Sequence, residues 1–188
     1  MIGIINKLLF EFVGHQWGAE TEGKLRAETG TQMVEFRMDT YYPDTEWQAQ
    51  LAAALRVTGQ AEEAFVWDFG HYCGVELLKG FSGFVRGVTT TREVITRQPR
   101  IHNTLSSTFA REDRDRINEK FRLAELSDRT IMHYQSPNRL CTLYRSIAQW
   151  VADEFGDTIL IEEPRCQKRG DAECEIHIIY KGKKGQPA

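Results

Sequence analysis

Residues 133–141 read HYQSPNRLC, and three of their side chains are suited to gripping an anion. Tyr134 and Ser136 are two apart, so on an extended strand their hydroxyls share one face. Arg139 lies just past Pro137, where a helix can begin. A guanidinium pairs with a carboxylate or phosphate through two parallel donors, and the hydroxyls complete the anion's hydrogen bonds. For Tyr134 and Ser136 the plainer reading is capping and packing at a strand-to-helix junction. A second set is built from sulfur. Cys166 and Cys174 stand on either side of the turn sequence QKRGDA, and Cys141 closes the HYQSPNRLC segment.

The elements that must position these groups divide the chain in two. Up to about residue 127 the pattern is helical. Ile2, Ile5, Leu9, Phe12 and Val13 form an apolar stripe at three-to-four spacing. A second helix is expected over Ala19–Glu28, and a third begins at an Asp44 or Thr45 cap and ends at Gly59. AEEAFVWDFGHYCGVELLKG carries acidic residues in its first turn, favourable against the helix dipole. The segment from Thr89 to Asp113 has helical spacing at Val94, Ile95, Ile101, Leu105 and Phe109. Pro99 requires it to kink there or to start nearby. From about residue 128 the order is strand (RTIMHYQS), helix (PNRLCTLYRSIAQWVADEFG), then two strands (TILIEEPRC and ECEIHIIY) joined at Gly170–Asp171. The expectation is one α+β domain over 1–181, with 182–188 a loose tail.

Composition narrows the function classes. The 188 residues suit one domain, and 41% hydrophobic with 27% charged residues is ordinary for a soluble globular protein. A net charge of −3 gives no basis for a nucleic-acid or anionic-membrane partner. No apolar run reaches the roughly 20 residues that span a bilayer. The apolar start, MIGIINKLLFEFVG, lacks a basic leader and carries Glu11 in helical step, so a cytoplasmic protein is expected. Four cysteines at this length suggest reduced thiols or a metal site over a disulfide framework. No nucleophile–base–acid set, glycine-rich phosphate loop or paired-histidine metal motif points to an enzyme.

His102 sits among Ile101, Leu105 and Phe109. By periodicity it reads first as a packed residue with a satisfied hydrogen bond, and second as an axial ligand to a haem iron. The wider sequence bears on this choice. MIGIINKLL, the Tyr-Pro-Asp, Thr-Gly and Phe-Gly groups of YYPDTEWQAQLAAALRVTGQAEEAFVWDFG, the Ile-His of PRIHNTL, and HYQSPNRLC resemble the haem nitric-oxide/oxygen-binding (H-NOX) family across nearly the whole chain. The resemblance implies that His102 binds the iron of a haem b, and that Tyr134, Ser136 and Arg139 bind its propionates. Ile5, Leu9, Leu78, Phe81 and Phe84 are candidates to line the porphyrin slot. The family motif is Tyr-x-Ser-x-Arg, whereas here Asn138 holds the arginine position and Arg139 comes one later. On a helix that displacement rotates a side chain by about 100°.

Leu143 falls where some family members carry an oxygen-stabilising tyrosine, which favours nitric oxide. Tyr144 is adjacent, and a one-residue slip would bring it inward. Cys141, Cys166 and Cys174 resemble a zinc-binding or redox-active cluster of some H-NOX proteins, with Glu163 at the fourth position. The C…RGD…C pattern is also similar to that of the related 4-vinyl reductase-like ligand-binding domains. The implied function is a stand-alone bacterial sensor: nitric oxide weakens the Fe–His102 bond, and a histidine kinase or cyclic-di-GMP enzyme reads the resulting movement. The alternative is a haem-free zinc or thiol redox sensor, or a binding module for another small hydrophobic ligand.

Overall fold

A computed structural model describes residues 1–38 and 40–185. Four helices come first: α1 (Gly3–Trp17), α2 (Ala19–Glu28), α3 (Asp44–Thr58) and α4 (Glu62–Gly80). After a 3-10 turn at Ser82–Val85 come α5 (Thr91–Leu105), α6 (Arg111–Asn118), β1 (Phe121–Glu125) and β2 (Arg129–Tyr134). The chain continues through α7 (Cys141–Phe155), β3 (Asp157–Arg165) and β4 (Cys174–Lys183). The sheet is antiparallel throughout, in the order β1-β2-β4-β3.

Alternation in the two central strands decides which face is covered. Thr130, Met132 and Tyr134 of β2 are buried, and they pair in register with buried Ile178, Ile176 and Cys174 of β4. Helices α5 and α7 pack on the sheet, and α7 also lies against α4. That last contact depends on two glycines. A Cβ at Gly70 would stand 2.5 Å from Cβ of Ser146, and one at Gly74 would enter the ring of Trp150. Behind α4, the rings of Phe12, Trp17, Phe65, Phe69 and Tyr72 form an aromatic core.

The structure departs from the sequence expectations at several boundaries. The helical part stops at Asn118, and β1 follows where helix was expected to about 127. Its residues FRLAE are good helix formers, but pairing with β2 overrides that preference. α5 runs unbroken through Pro99, because a Thr90–Glu93 capping box starts it two turns earlier; the alternative of a start near Pro99 does not hold. α7 begins at Cys141, not at Pro137, since Arg139 takes φ 48° and its N–H bonds to Ser136 O at 3.2 Å, making a turn. The expected tail at 182–188 starts too early. β4 continues to Lys183, whose Nζ bonds Asp157 Oδ1 at 2.6 Å, while 186–188 lie outside the described residues. No helix among the described residues is long and apolar enough to cross a membrane.

Candidate functional site

Between the helical part and the sheet lies a cavity of about 240 Å³. A water occupies about 30 Å³ of liquid, so this is space for a molecule and not for a stray solvent. Its walls are apolar: Ile5 from α1, Leu77, Leu78 and Phe81 from α4 and the residue after it, Phe84, then Val94, Ile101 and Leu105 from α5. Four of the five expected slot residues are here. Leu9 is not, because it points into the helical core and is wholly buried there.

His102 lines this cavity from α5, with its ring 4.7 Å from that of Phe121. Burial drives its pKa down from 6.5 to about 4, so the imidazole is neutral at physiological pH. Its Nδ1 is buried without a hydrogen-bond partner. One turn earlier on the same helix, the Oε1 of cavity-lining Gln98 is likewise buried and unpartnered. The sequence reading missed Gln98, although its i, i+4 spacing to His102 was there to be seen.

Tyr134 and Ser136 meet the cavity at its polar end. Tyr134 stacks on Phe121 at 5.2 Å, and its hydroxyl accepts the Leu140 N–H at 3.2 Å. Burial raises its pKa, keeping the phenol protonated. Ser136 Oγ accepts the Asn138 N–H at 3.2 Å. Asn138 also lines the cavity, and its Nδ2 donates to Asp44 Oδ1 at 2.8 Å. Lys120 completes this group, with Nζ 2.8 Å from both Asp44 oxygens. Burial opposes ionisation of Asp44, but Lys120, the Met1 ammonium and Asn138 outweigh it and hold the carboxyl below its usual range. The residue expected to cap α3 therefore stands at its first turn with its side chain committed to the cavity mouth. Arg139 is not part of the group: it is exposed and does not line the cavity. The turn that places Asn138 inward points the next side chain out.

Leu143 and Tyr144 both line the cavity. The Tyr144 hydroxyl is buried without a partner, and burial raises its pKa. The remaining histidines are engaged elsewhere: His71 Nδ1 with Ser146 Oγ at 2.8 Å, His133 with Glu173 at 3.2 Å and His177 with Glu175 at 2.7 Å. His15 packs its ring on Tyr72.

The sulfur cluster assembles as a second site. One ligand atom each from Cys141, Glu163, Cys166 and Cys174 lies within 4.8 Å of all the others, and the Cys141 and Cys166 sulfurs are 3.6 Å apart. Tetrahedral zinc with Zn–S near 2.3 Å sets its sulfurs about 3.8 Å apart. Glu163 is carried inward by alternation along β3, whose register shifts between Glu162 and Arg165, around Pro164. Its Oε1 is buried and unpartnered. Burial and then the nearby Glu163 raise the Cys141 pKa, and burial raises that of Cys174. Gln167 links the two sites: its N–H donates to Cys174 Sγ at 3.2 Å, and its Oε1 accepts the Ser136 N–H at 3.1 Å. Cys73 is buried alone in α4.

The family model described as Haem-NO-binding matches residues 2–163. The chain belongs to the haem-NO-binding, or H-NOX, family. No curated protein matches it by sequence. Among solved structures, a triple mutant of an H-NOX protein from S. oneidensis in the Fe(II) ligation state superposes with TM-score 0.82 at 17% identity, covering 100% of both chains. An oxygen-binding H-NOX domain related to soluble guanylate cyclases gives TM-score 0.78 at 15% identity, covering 100% of this chain and 99% of that one. An H-NOX mutant from K. algicida gives 0.72 at 14%, covering 96% and 97%.

The H-NOX fold is a haem-based gas-sensing fold. The residues present fit the group. The slot is apolar, a neutral imidazole with no competing hydrogen bond faces it, and hydroxyl, amide and ammonium donors gather at one end.

Proposed function

We propose that this chain is a sensor of nitric oxide in which His102 ligates the iron of a haem b, with Tyr134 and Ser136 at its carboxylates. The observation that carries the reading is His102, a buried neutral imidazole without a hydrogen-bond partner on an apolar cavity. When bound, haem supplies a ferrous iron whose free face takes a diatomic gas. His102 offers the iron a lone pair that no proton occupies. Phe81, Phe84, Leu78 and Leu143 keep water from the porphyrin faces, and Leu143 gives bound dioxygen no hydrogen bond. His102 stands on α5, which packs on β1, β2 and α7, so a change in its bond to iron is felt where the helical part meets the sheet. A signalling partner such as a histidine kinase or cyclic-di-GMP enzyme reads that two-state shift.

The test is the visible spectrum after haemin addition and reduction, before and after nitric oxide, for wild type and His102→Ala. A Soret band that moves with nitric oxide, and is altered or lost in the variant, is expected. Absence of stoichiometric haem uptake refutes the reading.

Two observations favour additions to it. The unpartnered Tyr144 hydroxyl on the cavity is a donor that bound dioxygen could accept from. A stable ferrous–oxygen spectrum in air that Tyr144→Phe abolishes would establish oxygen as the ligand. The four clustered groups Cys141, Glu163, Cys166 and Cys174 suit a structural zinc, measured as one equivalent of metal by elemental analysis.

A further inference from the structure

The carboxylate motif of this chain lacks its arginine in two ways. Asn138 occupies the arginine's place, and Arg139 turns outward into solvent. A haem held with its carboxylates at Tyr134 and Ser136 would bring both of them to this end of the cavity. We propose that Lys120, from a different strand end, supplies the cation that binds a haem carboxylate, with Asp44 holding it in position. The proposal rests on the haem reading above.

Sheet register explains how a residue 14 positions before Tyr134 reaches the motif. Phe121 pairs with Tyr134, and one step out the Lys120 carbonyl accepts the Gln135 N–H at 3.1 Å. Lys120 is thereby fixed beside the Tyr134–Ser136 strand end, as the one lysine or arginine side chain lining the cavity among the described residues. Its side chain is only 14% exposed, so its charge acts through little water.

The donor count leaves room for a ligand. An ammonium has three N–H donors in a tripod. Two are taken by Asp44 Oδ1 and Oδ2, each at 2.8 Å, and the third is free for another carboxylate. Asp44 is itself fixed by Asn138 Nδ2 and by the Met1 ammonium, 3.1 Å from Oδ1, and the Asn138 N–H is fixed by Ser136 Oγ. Lys120, Asp44, Asn138 and Ser136 are therefore one connected group. The Asn138 side chain, too short and uncharged to replace a guanidinium, serves to anchor the carboxylate that aims the lysine. A point-charge ammonium also accepts a wider range of carboxylate angles than the planar fork it replaces.

The experiment measures the rate of haem loss to an excess of a haem-scavenging globin, using haem b and its dimethyl ester, in which both carboxylates are uncharged. Asp44→Asn/Lys120→Met removes the pair together, and the Met1 ammonium, 3.1 Å from Asp44 Oδ1, keeps its bond to the Tyr42 carbonyl at 2.6 Å. Lys120→Arg and Arg139→Met accompany it. The double variant is expected to lose haem b roughly tenfold faster than wild type, the scale of one charge-assisted hydrogen bond, while its loss of the ester is unchanged. Lys120→Arg should restore slow loss of haem b, and Arg139→Met should alter neither rate. Equal acceleration for haem b and the ester would make Lys120 a packing residue and overturn the proposal. So would a carboxylate-dependent effect at Arg139. No uptake of either porphyrin by the wild type removes the haem reading and this inference with it.

Discussion

Acidification tests whether His102 is held neutral by burial. Its pKa is about 4 in the fold against 6.5 when unperturbed. Between those values the unfolded chain binds a proton that the folded chain refuses, so stability falls as pH falls. From pH 7.5 to 4.5 the two values give a loss of about 2.5 kcal/mol. Asp44, Glu63 and Asp157 also have lowered pKa values, each opposed by burial but outweighed by hydrogen bonds and cations. Their protonation destabilises the fold in acid as well, so the histidine must be read by difference. Urea unfolding of the haem-free protein at the two pH values, for wild type and His102→Leu, supplies that difference. The wild type should lose about 2.5 kcal/mol more than the variant over this range. Equal losses would mean that the imidazole protonates as freely in the fold as outside it. His102 would then not be a ligand kept neutral by burial.

Other perturbations follow from single observations. Gln98→Leu removes a buried carbonyl oxygen that has no partner, so it should leave the haem-free protein unchanged or stabilise it by up to about 1 kcal/mol in urea unfolding. A clear destabilisation would show that the amide is satisfied. Gly74→Ala forces a methyl into the Trp150 ring and should cost about 1–3 kcal/mol, with a change in tryptophan fluorescence as α4 and α7 separate. Glu163→Gln should weaken zinc binding on the order of tenfold or more in a chelator competition, because a neutral amide replaces a ligating carboxylate. Unchanged affinity would remove Glu163 from the ligand set.

Much of the fold was legible because its signals are local. The apolar stripe of α1, the acidic first turn and long apolar face of α4, and the glycine that ends α7 all lie within one element. Cys166 and Cys174 could be matched from their turn. β1 was hidden because FRLAE favours a helix on its own and becomes a strand only beside β2. Arg139 was misplaced for a similar reason. Its side-chain direction depends on a φ of 48°, a left-handed conformation that residue type does not announce at an arginine.

By itself the sequence determined the α+β class and three groups of candidate residues, since residue type and spacing carry those directly, and its motifs carried the resemblance to the family. Tertiary structure decided which candidates share a site. Register placed Lys120 beside Tyr134 and Ser136, and strand alternation with a bulge brought Glu163 to three cysteines. Packing left His102 neutral, with its Nδ1 buried and unpartnered. These outcomes depend on contacts between residues far apart in the chain, where burial, charge and hydrogen bonding are set by neighbours that no local pattern names.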